Sequence, residues 1–338
     1  MISQTFRYAD GTVPNVLALS LIVLGYPAGI ALLTVPLWGF NALGFTLVVL
    51  TLVWSAYFIH EFAHQAIFKT ATANARWGTL MSWVNGSCFA RFDDMRRKHM
   101  RHHVERADVV TFDARGFLLK APAWQRNTVL ALEWAYFPAV EFLMRGFVMV
   151  MPFQAGGSAK ARLRLVGIAL LRLAGWALLA AYSFKAVALY FAAYLVFLTV
   201  LRFADCFQHT YDAYPILGDA PVPNDKVRDR AYEQLNTFSD IVGMNNPWLN
   251  LLWLNFGFHN AHHERPTMPW YRLPAYHREL YPANYPQVIT ARELLRSFHI
   301  NRVKRVLSTD YGRVGEAGSQ GRADGFLGAV GVSFLTAV

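Results

Sequence analysis

Nine of the eleven histidines in this 338-residue chain fall into groups whose spacing suits metal binding. His60 and His64 are four residues apart, which places both imidazoles on one face of a helix. Two later segments share one pattern, in which a histidine is followed three residues later by an adjacent pair. The nine candidate ligands are His60, His64, His99, His102, His103, His209, His259, His262 and His263. His277 and His299 lack such neighbours, and we expect both at the protein surface.

The number of candidate ligands indicates more than one metal ion. A tetrahedral zinc site uses only three or four protein ligands, so nine imidazoles exceed the needs of a single ion. Nitrogen-rich sites with open coordination positions suit iron in oxygen chemistry, although imidazole also binds zinc and copper. The spacing therefore predicts two metal ions and leaves their identity open.

Two other functions use similar histidines. The segment from His60 to His64 reads HEFAH, which matches the H-E-x-x-H helix of zinc proteases, where the glutamate is the general base. A membrane protease of this kind would leave seven clustered histidines without a role, so we expect Glu61 to hold a ligand imidazole by a hydrogen bond. A non-enzymatic metal-binding membrane protein would need the histidines but no apolar tunnel leading to them.

The composition indicates that membrane helices position these groups. Hydrophobic residues make up 54% of the chain and charged residues 16%, whereas soluble domains average about 25% charged residues. No charged residue occurs from Thr12 to Ile59, which is about twice the length that one helix needs to cross a bilayer. A second apolar block runs from Leu165 to Leu201. We therefore predict two helical hairpins, with transmembrane helices at about 14–37, 42–60, 165–184 and 186–203.

The predicted fold class is an all-α membrane protein in which a helical cap holds the histidines. The membrane domain covers 1–311, and the cap consists of 61–164 and 204–311. The region from Trp124 to Phe153 is apolar but carries charges too frequently to cross the membrane, so we expect helices that lie in the interface. The glycine-containing 312–338 region is predicted to be a flexible tail.

The distribution of basic residues predicts the orientation in the membrane. Lysine and arginine are concentrated after each hairpin, whereas the hairpin tips hold only Lys185. By the positive-inside rule, we expect both termini and the histidine-rich site to be cytoplasmic. This topology and contact with anionic membrane lipid account for the net charge of +10. We therefore expect no nucleic acid partner.

The three histidine groups resemble the histidine boxes of the integral-membrane fatty acid desaturase family. Those boxes have the forms H-x3-4-H, H-x2-3-H-H and H-x2-3-H-H around a non-haem di-iron centre. The stretch NFGFHNAHHERP, from Asn255 to Pro266, is especially similar to the third box. The likeness covers the layout from Thr12 to about Pro282. In the family, a further histidine after the fourth transmembrane helix completes the ligand set, and His209 stands in that place.

One position departs from the family pattern. The acyl-CoA desaturases of this family have an asparagine four residues before that further histidine, and this chain has Asp205. The resemblance implies a catalytic role for Asp205, because a carboxylate there could bind iron directly or hold a water more strongly and so alter oxygen activation. Two other roles stay open, in which Asp205 orients a ligand histidine or pairs with Arg202.

The resemblance implies an O2-dependent oxidoreductase that uses two non-haem iron ions. It would insert a double bond into a fatty acyl chain that arrives free, as a thioester or within a lipid. Hydroxylation and oxidative decarboxylation to a terminal alkene use the same scaffold and are alternative reactions. Asp205 is the feature that favours the decarboxylation alternative. The two cysteines, Cys88 and Cys206, cannot form an iron–sulfur cluster. We therefore expect a separate electron donor such as a ferredoxin, a rubredoxin-like protein or a small cytochrome.

Overall fold

Four long helices form the framework of the molecule. The computed structural model describes residues 5–154, 156–216, 218–244, 246–312, 314, 323 and 325–338. The helices long and apolar enough to cross a membrane are Ala9–Thr34, Trp38–Ala63, Ala159–Tyr182 and Phe184–Cys206. The predicted all-α fold with four transmembrane helices is confirmed, and the helix ends lie within six residues of the predicted positions.

We number the helices in chain order. The first hairpin is α1 (Thr12–Thr34, after a 3-10 turn at Ala9–Gly11) and α2 (Trp38–Ala63). The second hairpin is α8 (Ala159–Tyr182) and α9 (Phe184–Cys206). The remaining α-helices are α3 (Ala71–Asn85), α4 (Phe92–Glu105), α5 (Ala114–Lys120), α6 (Ala123–Trp134), α7 (Ala139–Val150), α10 (Arg230–Leu235), α11 (His259–Glu264), α12 (Leu273–Leu280), α13 (Ala291–Ile300) and α14 (Lys304–Leu307). Two short strands, β1 (Asp108–Val109) and β2 (Ala213–Tyr214), pair in parallel.

Small residues and one asparagine hold the first hairpin together. A Cβ atom added at Gly44 would lie 2.8 Å from the carbonyl oxygen of Gly29, so the backbones of α1 and α2 are in direct contact, as small residues allow in membrane helices. The Asn41 side chain donates hydrogen bonds of 2.9 Å to the carbonyls of Leu32 and Val35. Lys185 donates to the same Val35 carbonyl and to Asn41 Oδ1. The tips of the two hairpins are therefore joined.

The predicted interfacial region folds as two helices, α6 and α7, separated by a break before Pro138. The side chains of Trp124 and Trp134 on α6 are 72% and 63% exposed, which suits a helix that contacts lipid or headgroups. Glu133 of α6 forms a buried ion pair with Arg202 near the end of α9. The interfacial helices are thus tied to the second hairpin.

Residues 325–338, which belong to the region 312–338 predicted to be a flexible tail, are packed against the rest of the protein. Phe326 and Leu335 are fully buried or nearly so, and Phe326 packs against the rings of Phe207 and Phe238. The backbone N–H of Ala329 donates to the Cys206 carbonyl at 2.7 Å. This apolar stretch is too short to cross a membrane, and it fills part of the protein interior instead. The glycines before residue 325 lie mostly outside the described residues.

His277 also differs from its predicted surface position. Its side chain is fully buried, because α12 turns this residue towards the rings of Phe258 and Tyr281. Burial lowers the pKa of His277 to about 4. His299 lies at the surface, where Tyr136 hydrogen-bonds its ring.

Candidate metal centre

Each histidine group lies where a helix begins or ends. The first group is at the end of α2. The second group occupies the last two turns of α4, and the acidic residues of α4 are in its first turn, at the opposite end of the helix. His209 follows the end of α9. The third group forms α11, which starts after a left-handed turn at Leu254 and Asn255. The helix ends therefore bring all nine imidazoles to one level of the molecule.

Five histidines form a buried cluster, which we call the first cluster. Its members are His60, His64, His99, His103 and His262. The Nε2 atoms face one another: the distance is 2.7 Å between His64 and His99 and 3.1 Å between His60 and His262. Burial, with the neighbouring imidazoles as a smaller cause, holds the pKa values of His64, His99 and His103 well below the usual range. Burial also lowers the pKa of His262 to about 3.

Four histidines form the second cluster. Its members are His102, His209, His259 and His263. The Nε2 atom of His209 lies 3.0 Å from that of His102 and 2.7 Å from that of His259. His103 of the first cluster also lies close to His263, and Glu233 joins these two residues in a third group of potential ligands. The two clusters are therefore adjacent.

The donor atoms fit metal ions. Two imidazole nitrogens bound at right angles to one ion at about 2.1 Å would be about 3.0 Å apart, which is close to the Nε2 separations in both clusters. Burial lowers the pKa values of His64 and His209, which keeps these imidazoles neutral, as metal ligation requires. The Nε2 atom of His263 is buried and has no hydrogen-bond partner among the described residues. The separations between these nitrogens are therefore those expected of ligands that share an ion.

Carboxylates orient two of the imidazoles through the Nδ1 atom, on the side of the ring away from Nε2. Asp108 Oδ1 lies 3.0 Å from Nδ1 of His102, and Glu233 Oε1 lies 2.9 Å from Nδ1 of His263. Glu233 is itself fixed by Arg106, whose Nε donates to Oε2 at 2.8 Å. A carboxylate on Nδ1 leaves the lone pair of Nε2 free for a metal ion. Both contacts therefore select the tautomer that a ligand needs.

Glu61 does not hold an imidazole in the expected way. Its Oε1 atom is 3.5 Å from Nδ1 of His60, which is too long for a hydrogen bond. Its Oε2 atom accepts a hydrogen bond of 2.9 Å from the backbone N–H of Trp270. Glu61 thus fixes the chain that follows the third histidine group. The general base of a zinc protease would need a free carboxylate facing the ion, so this geometry argues against the protease alternative.

Asp205 lies in a small cavity beside the histidines and not within a cluster. Neither histidine cluster in the described part of the chain includes its carboxylate. The cavity has a volume of about 50 Å³, and its histidine lining comes from both clusters. Arg202, an expected partner of Asp205, pairs with Glu133 instead. Asp205 is therefore placed to face a molecule that enters the cavity.

Sequence reasoning did not identify Glu233, Asp108 or Lys98 as parts of this site. Lys98 lines the same cavity and donates to the carbonyls of Ser333 and Thr336 at 2.8 and 2.9 Å. No spacing pattern connects Glu233 or Asp108 with a histidine group. The position of Lys98 beside His99 was the only available signal.

Comparison with known proteins agrees with this geometry. The sequence profile of the family described as fatty acid desaturase matches residues 16–294. That region contains every histidine of both clusters. A search of curated proteins finds no match for this chain. Because the profile covers most of the chain, the protein belongs to the fatty acid desaturase family.

Proposed function

We propose that this integral membrane protein is a di-iron fatty acyl desaturase that introduces a double bond by O2-dependent oxidation. The observation that carries the proposal is the pair of adjacent, buried histidine clusters, which together use all three histidine groups and His209. Family membership supports an oxidoreductase acting on acyl chains. The reaction and the substrate are the parts that we propose.

The two clusters give the histidines separate roles. The first cluster would hold one iron ion and the second cluster the other. Iron held there supplies the oxidation of unactivated C–H bonds, which side chains cannot perform by acid–base chemistry. Asp108 and Glu233 keep His102 and His263 in the required tautomers. The burial of the ligands excludes bulk water from the site.

The partners follow from the same chemistry. We propose that the acyl substrate is free, thioester-linked or lipid-bound, and that a separate ferredoxin, rubredoxin-like protein or small cytochrome supplies electrons. The basic residues concentrated after each hairpin support a cytoplasmic site and cytoplasmic termini. A cytoplasmic site is accessible to soluble electron donors, which is consistent with this choice of partner.

Hydroxylation or oxidative decarboxylation to a terminal alkene is the second candidate. The observation in its favour is Asp205, whose carboxyl group lines the cavity beside both clusters. We expect Asp205→Asn to retain both metal ions, because neither cluster uses this carboxylate, and to alter the product. Metal content and product analysis of the same preparation test this. Loss of one ion in the variant would instead show that Asp205 is a ligand.

Gas chromatography of lipids and headspace from cells that express the protein tests the proposed function. We expect a new unsaturated acyl chain, which disappears in His262→Ala because the first cluster is disrupted. His299→Ala is the matched control, since this histidine is exposed and lies outside both clusters. A volatile terminal alkene in place of the unsaturated chain would replace desaturation by decarboxylation. No lipid change, together with bound zinc, would contradict the proposal.

A further inference from the structure

The cavity beside the histidine clusters has apolar lining residues from three parts of the chain, and one of these parts is the segment 325–338. Val332 and Phe334 of this segment line the cavity together with Val109 and Phe256, and the polar lining includes Lys98, Asp108 and Asp205. The cavity volume of about 50 Å³ holds a few water molecules. A long acyl chain needs more space, so its path past the histidines depends on the side chains that line the cavity.

Two phenylalanines line the cavity beside the first cluster: Phe256, whose ring centroid is 4.6 Å from that of His60, and Phe334. The ring centroid of Phe334 is 5.4 Å from that of His99 and 6.0 Å from that of His60. These distances are those of rings in contact. No residue of 325–338 belongs to a histidine cluster in the described part of the chain. Phe334 therefore contacts the ligands without being one.

Contacts at both ends hold Phe334 in this position. At one end, Gly328 has a φ of +79° and packs against the Cys206 carbonyl, where an added Cβ atom would be 2.7 Å from the oxygen. At the other end, the Thr336 carbonyl accepts hydrogen bonds from Lys98 Nζ at 2.9 Å and from Thr111 Oγ1 at 2.6 Å. Lys98 precedes a ligand histidine, so the segment is fixed relative to the first cluster.

A flexible hydrocarbon chain offers many equivalent C–H bonds, and only its position in the site can distinguish them. In a cavity lined by both polar and apolar groups, the apolar side chains are the surface that an acyl chain would contact, and Phe334 is the largest of them outside the histidine boxes. We propose that Phe334 is a specificity-determining residue, whose ring sets which carbon of the acyl chain lies beside the histidine clusters. This inference rests on the proposed function and assigns part of it to a segment outside the histidine boxes.

Product analysis of Phe334→Leu tests the inference. We expect metal content equal to wild type and a roughly tenfold change in the ratio of double-bond positions or of accepted chain lengths, because small changes in an apolar pocket discriminate by about this factor. Phe326→Leu is the matched control, since it removes a ring from the same segment at a site that packs on Phe207 and Phe238. We expect its product ratio to equal that of wild type.

An unchanged product ratio in Phe334→Leu would overturn the inference while leaving the proposed function intact. If Phe334→Leu does not fold, Phe334→Trp serves the same purpose, because a larger ring should shorten the accepted chain. In contrast, a wild-type protein that converts no acyl chain would refute the proposed function itself.

A second measurement does not depend on activity. A fatty acid bearing a diazirine is photolysed with wild-type protein as purified in detergent, without electron donor, and the labelled peptides are identified by mass spectrometry. We expect labelling at or next to Phe334 and none at Phe326, which does not line the cavity. Labelling elsewhere in the membrane domain with none at 332–334 would contradict contact between Phe334 and an acyl chain.

Discussion

The ligand imidazoles depend on acidic residues that lie outside the histidine groups. Asp108 and Glu233 each contact the Nδ1 atom of one histidine in the second cluster. The nine histidines could be predicted as a set because their spacing is local and repeated. Glu233 could not be predicted, because the folding of a remote segment creates its contact with His263. Asp108 could not be predicted either, because it lies beyond the end of α4, and the turn that brings it back to His102 has no spacing pattern. The same reason explains His277, whose burial depends on how α12 packs.

Removal of an orienting acid should weaken metal binding without abolishing it. We expect Asp108→Ala to lower the affinity for the second metal ion about 10- to 100-fold, because His102 loses the group that fixes its tautomer. Competition with a chelator, followed by metal analysis, measures the change. Asp219→Ala is the control, since its carboxylate is 82% exposed at the surface. Equal affinity in the two variants would rule out an orienting role for Asp108.

At the scale of elements, the transmembrane helices were the most predictable part of the fold. A long uncharged stretch has few stable structures other than a membrane-spanning helix. The turns between these helices are marked by glycine, proline and lysine. Residues 325–338 were less predictable, because the glycine content before them indicates flexibility. Their position depends on acceptors and donors from distant elements, such as Cys206 and Lys98.

The contact between α1 and α2 should be sensitive to side-chain size. We expect Gly44→Leu to destabilise the protein by about 1–3 kcal/mol or more, because its Cβ atom would collide with the Gly29 carbonyl. Size-exclusion chromatography and thermal unfolding in detergent measure this. Gly39→Leu is the control, since a Cβ atom at this position meets nothing within 4 Å. Similar behaviour of both variants would show that the helices do not pack as described.

At the scale of the whole molecule, the two hairpins place the histidine clusters and the hairpin tips at opposite ends of the transmembrane helices. His64 follows the end of α2, and His209 follows the end of α9. The tips are at Leu37 and Ser183. Only the distribution of basic residues in the sequence predicts which of these two ends faces the cytoplasm.

Labelling of single cysteines tests the orientation. We expect Phe184→Cys, at a position 75% exposed beside a hairpin tip, to react with a membrane-impermeant maleimide added outside intact cells. Asp219→Cys, in the cap at a position whose side chain is 82% exposed in the wild type, should react only after the membrane is opened. The native cysteines are buried and provide a low background. The reverse pattern would invert the proposed topology.

We propose that the two histidine clusters hold one iron ion each. Iron analysis of protein purified in detergent tests it most directly, in wild type and in the variants His64→Ala and His209→Ala, which each remove one ligand of a different cluster. We expect two iron ions per chain in the wild type and loss of one in each variant, with the fold retained by size-exclusion chromatography. A single zinc ion in the wild type, lost in His64→Ala and kept in His209→Ala, would contradict this assignment of two iron ions.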